Sequence, residues 1–240
     1  MLPAARVIPR TEPLGLSTCC AANFGETATL TLARRCSMPR LVAAINRRYD
    51  GAMETCGADN PGKTAMQPLR SFLFAPGNHA RRVEKALSLD ADAVILDLED
   101  AVATAEKRAT RAAVIAALLR PRRALLYVRV NAVDTEFCYG DLAAIVRPGL
   151  DGIILPKVES AAGLATADWL LAQLEREQGL VPRKIDLVPI IETARGLNQI
   201  DAILEAGTRV KRVAFGAGDL TLDVNMAWSR GEAELCGKLR

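Results

Sequence analysis

Short apolar runs and longer amphipathic stretches alternate along residues 67–240 of the chain. The apolar runs fall at 71–75 (SFLFA), 93–98 (AVILDL), 125–130 (LLYVRV), 152–155 (GIIL), 186–191 (DLVPII) and 212–216 (RVAFG). They have strand length, and they are near-continuously apolar, as expected when both faces of a sheet are covered. Between them, residues 79–89, 104–119, 141–147, 160–177 and 195–206 read as helices. Strands and helices alternating in this way predict a parallel sheet flanked by helices.

Residues 1–66 have a different character. They lack sustained periodicity and mix Cys, Arg, Pro, Gly and Thr, with Cys19-Cys20, Arg34-Arg35, Arg47-Arg48 and Asn60-Pro61-Gly62. The order of basic start, apolar stretch and small-residue cleavage site that marks a secretory signal is missing from residues 1–20. Glu12 and Pro3, Pro9 and Pro13 argue against a transit peptide. The expectation is a poorly ordered or spurious extension over 1–66, with organised sequence starting at Gln67. Met66 is then a natural start.

The polar residues are placed with a rule. Nearly every strand ends in a polar or glycine-rich cluster: Pro76-Gly77-Asn78, Asp97-Leu98-Glu99-Asp100, Arg129 with Asn131, Pro156-Lys157-Val158-Glu159, Glu192-Thr193 and Gly216-Ala217-Gly218-Asp219. In a (β/α)₈ barrel such ends converge on the face that carries the chemistry. A doubly wound sheet would gather them at one crevice and usually opens with GxGxxG. Here the first loop is PGN, which favours the TIM-type barrel. Eight strands close such a barrel and six are counted. The expected fold is therefore an α/β TIM (β/α)₈-type barrel truncated after about six βα units, over residues 67–240. An open arc leaves sheet edges at its first and last strands.

Two acids stand out, Glu192 and Asp219, one βα unit apart at successive strand ends. Carboxylates with open positions suit a hard cation such as Mg²⁺. Each could instead cap the helix that follows. Arg129 lies among apolar residues and needs a partner. Asp97 or Glu99 would make a purely structural pair, whereas a substrate carboxylate would be gripped through both arms of the fork.

Composition narrows the classes. The net charge of +3 comes from 31 basic and 28 acidic residues that are dispersed, which argues against nucleic acid, as does 4% aromatic content. No apolar run has the length of a membrane helix. Six cysteines lack CxxC spacing, so neither a zinc site nor a disulfide framework is expected, and a reducing, cytoplasmic compartment is the reading.

The motifs RSFLFAPGN (70–78), DADAVILDLEDAV (90–102), RVN (129–131), LPKVES (155–160), IIETARG (190–196) and FGAGDL (215–220) occur in this order. Together they resemble the citrate lyase β-subunit-like group of the HpcH/HpaI aldolase superfamily, with malyl-CoA lyases as near relatives. The resemblance covers residues 69 to about 225. It implies a Mg²⁺-dependent carbon–carbon lyase that splits a 3-hydroxyacyl-CoA-type thioester, such as citryl-CoA or malyl-CoA, into an acyl-CoA and a 2-oxo acid. The reverse reaction is a Claisen condensation, and neither direction needs a Schiff-base lysine.

The resemblance also implies roles. Glu192 and Asp219 match the metal ligands, and Arg129 the arginine that grips the oxo acid. Arg81 and Lys85 fall where relatives hold coenzyme A phosphates. Asp97, Glu99 and Asp100 match the acidic motif that orients the arginine and metal waters, and Lys157 supports the site. Gly216 and Gly218 let backbone approach the substrate. Relatives are commonly trimers or hexamers, so a homo-oligomer is expected. Relatives also continue for about two more βα units, where an aspartate completes the neighbouring subunit's site. No matching segment follows Asp219. The alternatives are a citrate lyase β-subunit acting on a carrier-protein thioester, an inactive truncated family member, and an acyl-CoA thioesterase.

Overall fold

The computed structural model describes residues 20–22 and 69–227. In chain order the elements are β1 (Cys20–Ala22), β2 (Phe72–Pro76), α1 (Ala80–Ser88), β3 (Ala93–Asp97), α2 (Lys107–Leu118), β4 (Leu125–Arg129), α3 (Cys138–Ile145), β5 (Gly152–Leu155), α4 (Ala161–Glu177), β6 (Asp186–Ile191), α5 (Ala194–Asn198), α6 (Ile200–Leu204), β7 (Val213–Phe215) and α7 (Ala217–Asp223). A short 3₁₀ turn, Thr104–Glu106, leads into α2.

The six expected strands form a parallel run in sequence order, β2 to β7. This is the curled, open half of a TIM-like barrel, with β2 at one edge. The other edge departs from expectation, because β7 is not left unpaired there. Cys20–Ala22 pairs with it antiparallel, Cys20 opposite Phe215 and Ala22 opposite Val213. The rest of the N-terminal segment lies outside the described residues. The helix expected over 195–206 is two short helices that meet at Gln199, whose N–H donates to both Arg195 O and Gly196 O.

Strand side chains point alternately to opposite faces, and burial follows that parity. Val94, Leu96, Leu126, Val128, Ile153, Leu155, Leu187 and Ile191 face the helices and join Val114, Leu118, Leu142, Leu164 and Leu171 in the larger core. Ala93, Ile95, Tyr127, Ile154, Val188, Ile190 and Ala214 form a second, inner cluster, against which Phe72 and Phe74 pack. Gly152 makes room on the inner face, since a Cβ there would lie 2.1 Å from the Tyr127 ring. Helix α4 shows why the outer elements form. Ser160 caps it by accepting from Gly163 N–H at 3.1 Å, and Leu164, Ala167, Leu171 and Leu174 repeat at helical spacing on its buried side.

Among the described residues, no helix is long and apolar enough to cross a membrane. Cys138 is a free, buried thiol, and burial pushes it up to about 12.

Candidate metal and anion site

The inner parity runs past the strand ends and delivers the polar residues. Asp97 follows Ile95 by two positions, Arg129 follows Tyr127, and Glu192 follows Ile190. Each therefore continues an inward-facing row at the carboxyl end of its strand.

Arg129 is surrounded by acid. Its Nε and one terminal nitrogen donate to the two oxygens of Asp97 at 2.8 and 2.5 Å. Its other terminal nitrogen lies 3.0 Å from Glu99 Oε2 and 3.6 Å from Asp100 Oδ2. The Glu99 contact is an ion pair without hydrogen-bond alignment, since that oxygen has no aligned donor. Phe74 places its ring 5.2 Å from the guanidinium carbon. Burial opposes the charge on Arg129, but the Asp97 hydrogen bonds and the acids around it outweigh burial and raise its pKa. The partner question left open by the sequence is answered for the paired fork, which Asp97 occupies.

Lys157 reaches the same acids from the other side. Its Nζ is 2.5 Å from Glu99 Oε1 and 3.4 Å from Asp100 Oδ1. Burial raises the Glu99 pKa, with Arg129 and Lys157 pulling the other way. For Asp100 burial also acts upward, but Arg129 and Lys157 win and lower it. The Lys157 backbone N–H turns elsewhere and donates to Glu192 Oε1 at 2.8 Å.

Glu192 is 2% exposed and lies against Asp219. Burial, Asp219 and Glu99 push its carboxyl up to about 8, against the Lys157 N–H. Asp219 is not at a strand end as expected. It sits in the first turn of α7, which starts at Ala217 once the chain has turned at Gly216. Gly216 approaches Glu192 closely, since a Cβ on Gly216 would lie 2.5 Å from both Glu192 Cβ and Oε2. Gly218 lies within α7, its carbonyl accepting from the Thr221 hydroxyl. Helix capping does not account for Glu192, since Thr193 performs it by accepting from Gly196 N–H at 3.0 Å.

Arg81 and Lys85 are exposed, one turn apart on α1, opposite buried Val83 and Ala86. Among the described residues, no hydrogen bond or ion pair joins them to the acid–arginine cluster. Glu159 pairs with Arg195 at 3.3 Å.

Two contributors escaped the sequence reading. Lys107 is buried and donates to Leu98 O, Glu99 O and Asn131 Oδ1 at 3.1, 2.6 and 2.6 Å, tying down the loop that carries Glu99. In the run AEKRATR it looks like any surface lysine. Phe74 reads as a core residue, and only strand parity puts it over Arg129. A cavity of about 520 Å³ lies at the opposite, amino-terminal end of the strands, around Asp186, Tyr127 and Arg212, away from these residues.

The HpcH/HpaI aldolase/citrate lyase family profile matches residues 70–239. This chain belongs to that family. Citrate lyase subunit beta of Leuconostoc mesenteroides subsp. cremoris is 37% identical over 157 residues, covering 65% of this chain and 52% of that protein. The L-malyl-CoA/beta-methylmalyl-CoA lyase of Cereibacter sphaeroides is 34% identical over 165 residues, covering 67% of this chain and 52% of the lyase. Among solved structures of the family, the citrate lyase beta subunit of M. tuberculosis complexed with oxaloacetate and magnesium superimposes with a TM-score of 0.53 at 33% identity. That match covers 70% of this chain and 66% of the other. The chain spans about half the length of the curated relatives it matches.

The donor set fits magnesium. Two carboxylates that repel one another, one of them buried, are relieved by a hard dication between them. Among the described residues no group of three or more His, Cys, Asp or Glu side chains is arranged to hold a metal. A pair of carboxylates leaves the remaining coordination positions to waters and substrate oxygens, which is how Mg²⁺ is commonly held.

Proposed function

We propose that this chain carries the metal- and oxo-acid-binding face of a carbon–carbon lyase acting on a 3-hydroxyacyl-CoA-type thioester. The observation that carries this reading is the Glu192–Asp219 carboxylate pair opening beside the Arg129 cluster at the carboxyl ends of the strands. The named activities of the family relatives and the magnesium and oxaloacetate in the M. tuberculosis structure support it.

In this reading Glu192 and Asp219 hold Mg²⁺, which when bound polarises the carbonyl of the oxo acid. Arg129 sits beside that carbonyl and stabilises negative charge on the oxo-acid portion. Asp97 fixes the guanidinium plane through its two hydrogen bonds, so no reorganisation is needed as charge develops. Glu99 and Asp100 set negative charge 3.0 and 3.6 Å from the third guanidinium nitrogen. The Lys157 N–H keeps Glu192 turned toward Asp219. Cleavage breaks the bond between the thioester's α-carbon and the carbinol carbon. The carbinol hydroxyl gives up its proton as its C–O bond becomes the C=O of the 2-oxo acid, the bonding pair leaves as the acyl-CoA enolate, and a proton returned to the α-carbon completes the acyl-CoA. In this reading Arg81 and Lys85, exposed on α1, meet phosphates of the coenzyme A portion.

The test is calorimetric titration of Mg²⁺ into the protein, followed by oxaloacetate or glyoxylate at saturating metal. Glu192→Gln and Asp219→Asn are each expected to weaken Mg²⁺ binding at least about tenfold, the range seen on loss of a ligand's support. Unchanged affinity in both variants would show that the metal lies elsewhere.

A further inference from the structure

We infer that Lys157 is a positioning residue that keeps Arg129 available to an anionic ligand. The inference rests on the function proposed above. Lys157 has a φ of +50°, in the left-handed region that side chains other than Gly, Asn and Asp seldom adopt. In this conformation its N–H donates to Glu192 Oε1, 2.8 Å away. A glycine would meet the same backbone requirement with less strain. Strain held at a non-glycine residue points to a use for its side chain.

The side chain's contacts define that use. Glu99 presents Oε1 to the Lys157 ammonium and Oε2 to the Arg129 guanidinium, at 2.5 and 3.0 Å. Asp100 repeats the pattern, with Oδ1 3.4 Å from Lys157 and Oδ2 3.6 Å from Arg129. Both carboxylates are therefore shared, and Lys157 takes one oxygen of each. Asp97, Glu99 and Asp100 outnumber Arg129 and Lys157 by one charge. Without the ammonium, three carboxylates face one guanidinium, and Arg129 is drawn onto Glu99 and Asp100. An incoming carboxylate then competes for the same nitrogen against a more negative surround. Lys157 does not contact the reacting atoms in this account. It acts through Glu99 and Asp100.

The experiment uses the full chain with Mg²⁺ and oxaloacetate as separate probes, in Lys157→Gly, Lys157→Met and Lys157→Arg. At saturating Mg²⁺, the Gly and Met variants are expected to bind oxaloacetate about tenfold more weakly, the size of one charge-assisted contact. Their Mg²⁺ affinity is expected to stay equal or to tighten, because a nearby cation has been removed. Lys157→Arg is expected to restore oxaloacetate binding. Retained oxaloacetate affinity in both neutral variants overturns the inference. So does a parallel loss of both ligands, which would make Lys157 a support of the loop alone. Failure of the underlying reading has a separate signature: wild-type protein that takes up no Mg²⁺, or a Glu192→Gln variant that takes it up normally.

Discussion

Arg129 and Asp97 meet as two planar groups edge to edge, with two parallel hydrogen bonds of 2.8 and 2.5 Å. They are also register partners on neighbouring strands β3 and β4. The sheet itself thus delivers both to one level, and the pair is nearly dry. Asp97→Ala leaves a buried guanidinium without its main partner and is expected to destabilise the fold by about 3–5 kcal/mol. Asp97→Asn keeps one acceptor and should cost less. Urea unfolding of the two variants checks the order, and equal stability of Asp97→Ala and the parent would contradict it.

The six parallel strands, β2 to β7, were legible because each is an apolar run bounded by turn or polar residues. Asp97, Arg129 and Glu192 were legible for the same reason, being polar residues at the ends of such runs. Asp219 was misplaced because Gly216-Ala217-Gly218 looks like loop, whereas the chain turns at Gly216 and is helical from Ala217. Lys107 was not legible. Its burial depends on three acceptors brought together from the β3 loop and the end of β4, and no local pattern encodes that. The β1 pairing was equally hidden, because three residues without periodicity give no strand signal.

Gly216 tests how closely α7 must approach β6. A methyl group there meets Glu192 at 2.5 Å on both Cβ and Oε2, too close for either to stay. Gly216→Ala is expected to cost about 1–3 kcal/mol through overpacking. It should also weaken Mg²⁺ binding, since the displaced group is the carboxylate. Parent-like Mg²⁺ affinity by calorimetry would show that Glu192 moves without consequence.

Lys107 gives a prediction of stability at a distance from any ligand. Lys107→Met keeps the stem but leaves Leu98 O, Glu99 O and Asn131 Oδ1 without their donor. A loss of about 2–3 kcal/mol is expected, because charged donors make the stronger hydrogen bonds. Loosening of the loop should also reach Glu99, so oxaloacetate affinity falls with stability. Thermal melts and calorimetry on the same preparation check both, and a variant as stable as the parent would remove Lys107 from this role.

Glu192 makes the metal-free protein sensitive to pH in a direction that can be stated. Its carboxyl is raised to about 8 in the folded chain, first by burial and then by Asp219 and Glu99, against an ordinary value of 4.5. Below 4.5 both folded and unfolded chains hold the proton. Between 4.5 and about 8 the folded chain keeps a proton that the unfolded chain has released, so this group's contribution to stability falls as pH rises through that window. A tenfold change in the carboxyl's proton affinity corresponds to about 1.4 kcal/mol. Glu192→Gln removes the titrating group, so the variant should lose this slope and gain stability relative to the parent above pH 8. Magnesium binds the ionised form, so metal and proton compete, and Mg²⁺ affinity should rise with pH up to about 8 and then level. Denaturant midpoints across pH 5–9, with and without Mg²⁺, measure both effects on one sample (~0.5-unit steps suffice for a window this wide). A parent and a Gln variant with superimposable pH profiles in the metal-free state would show that Glu192 is already ionised, and that something other than magnesium offsets its charge.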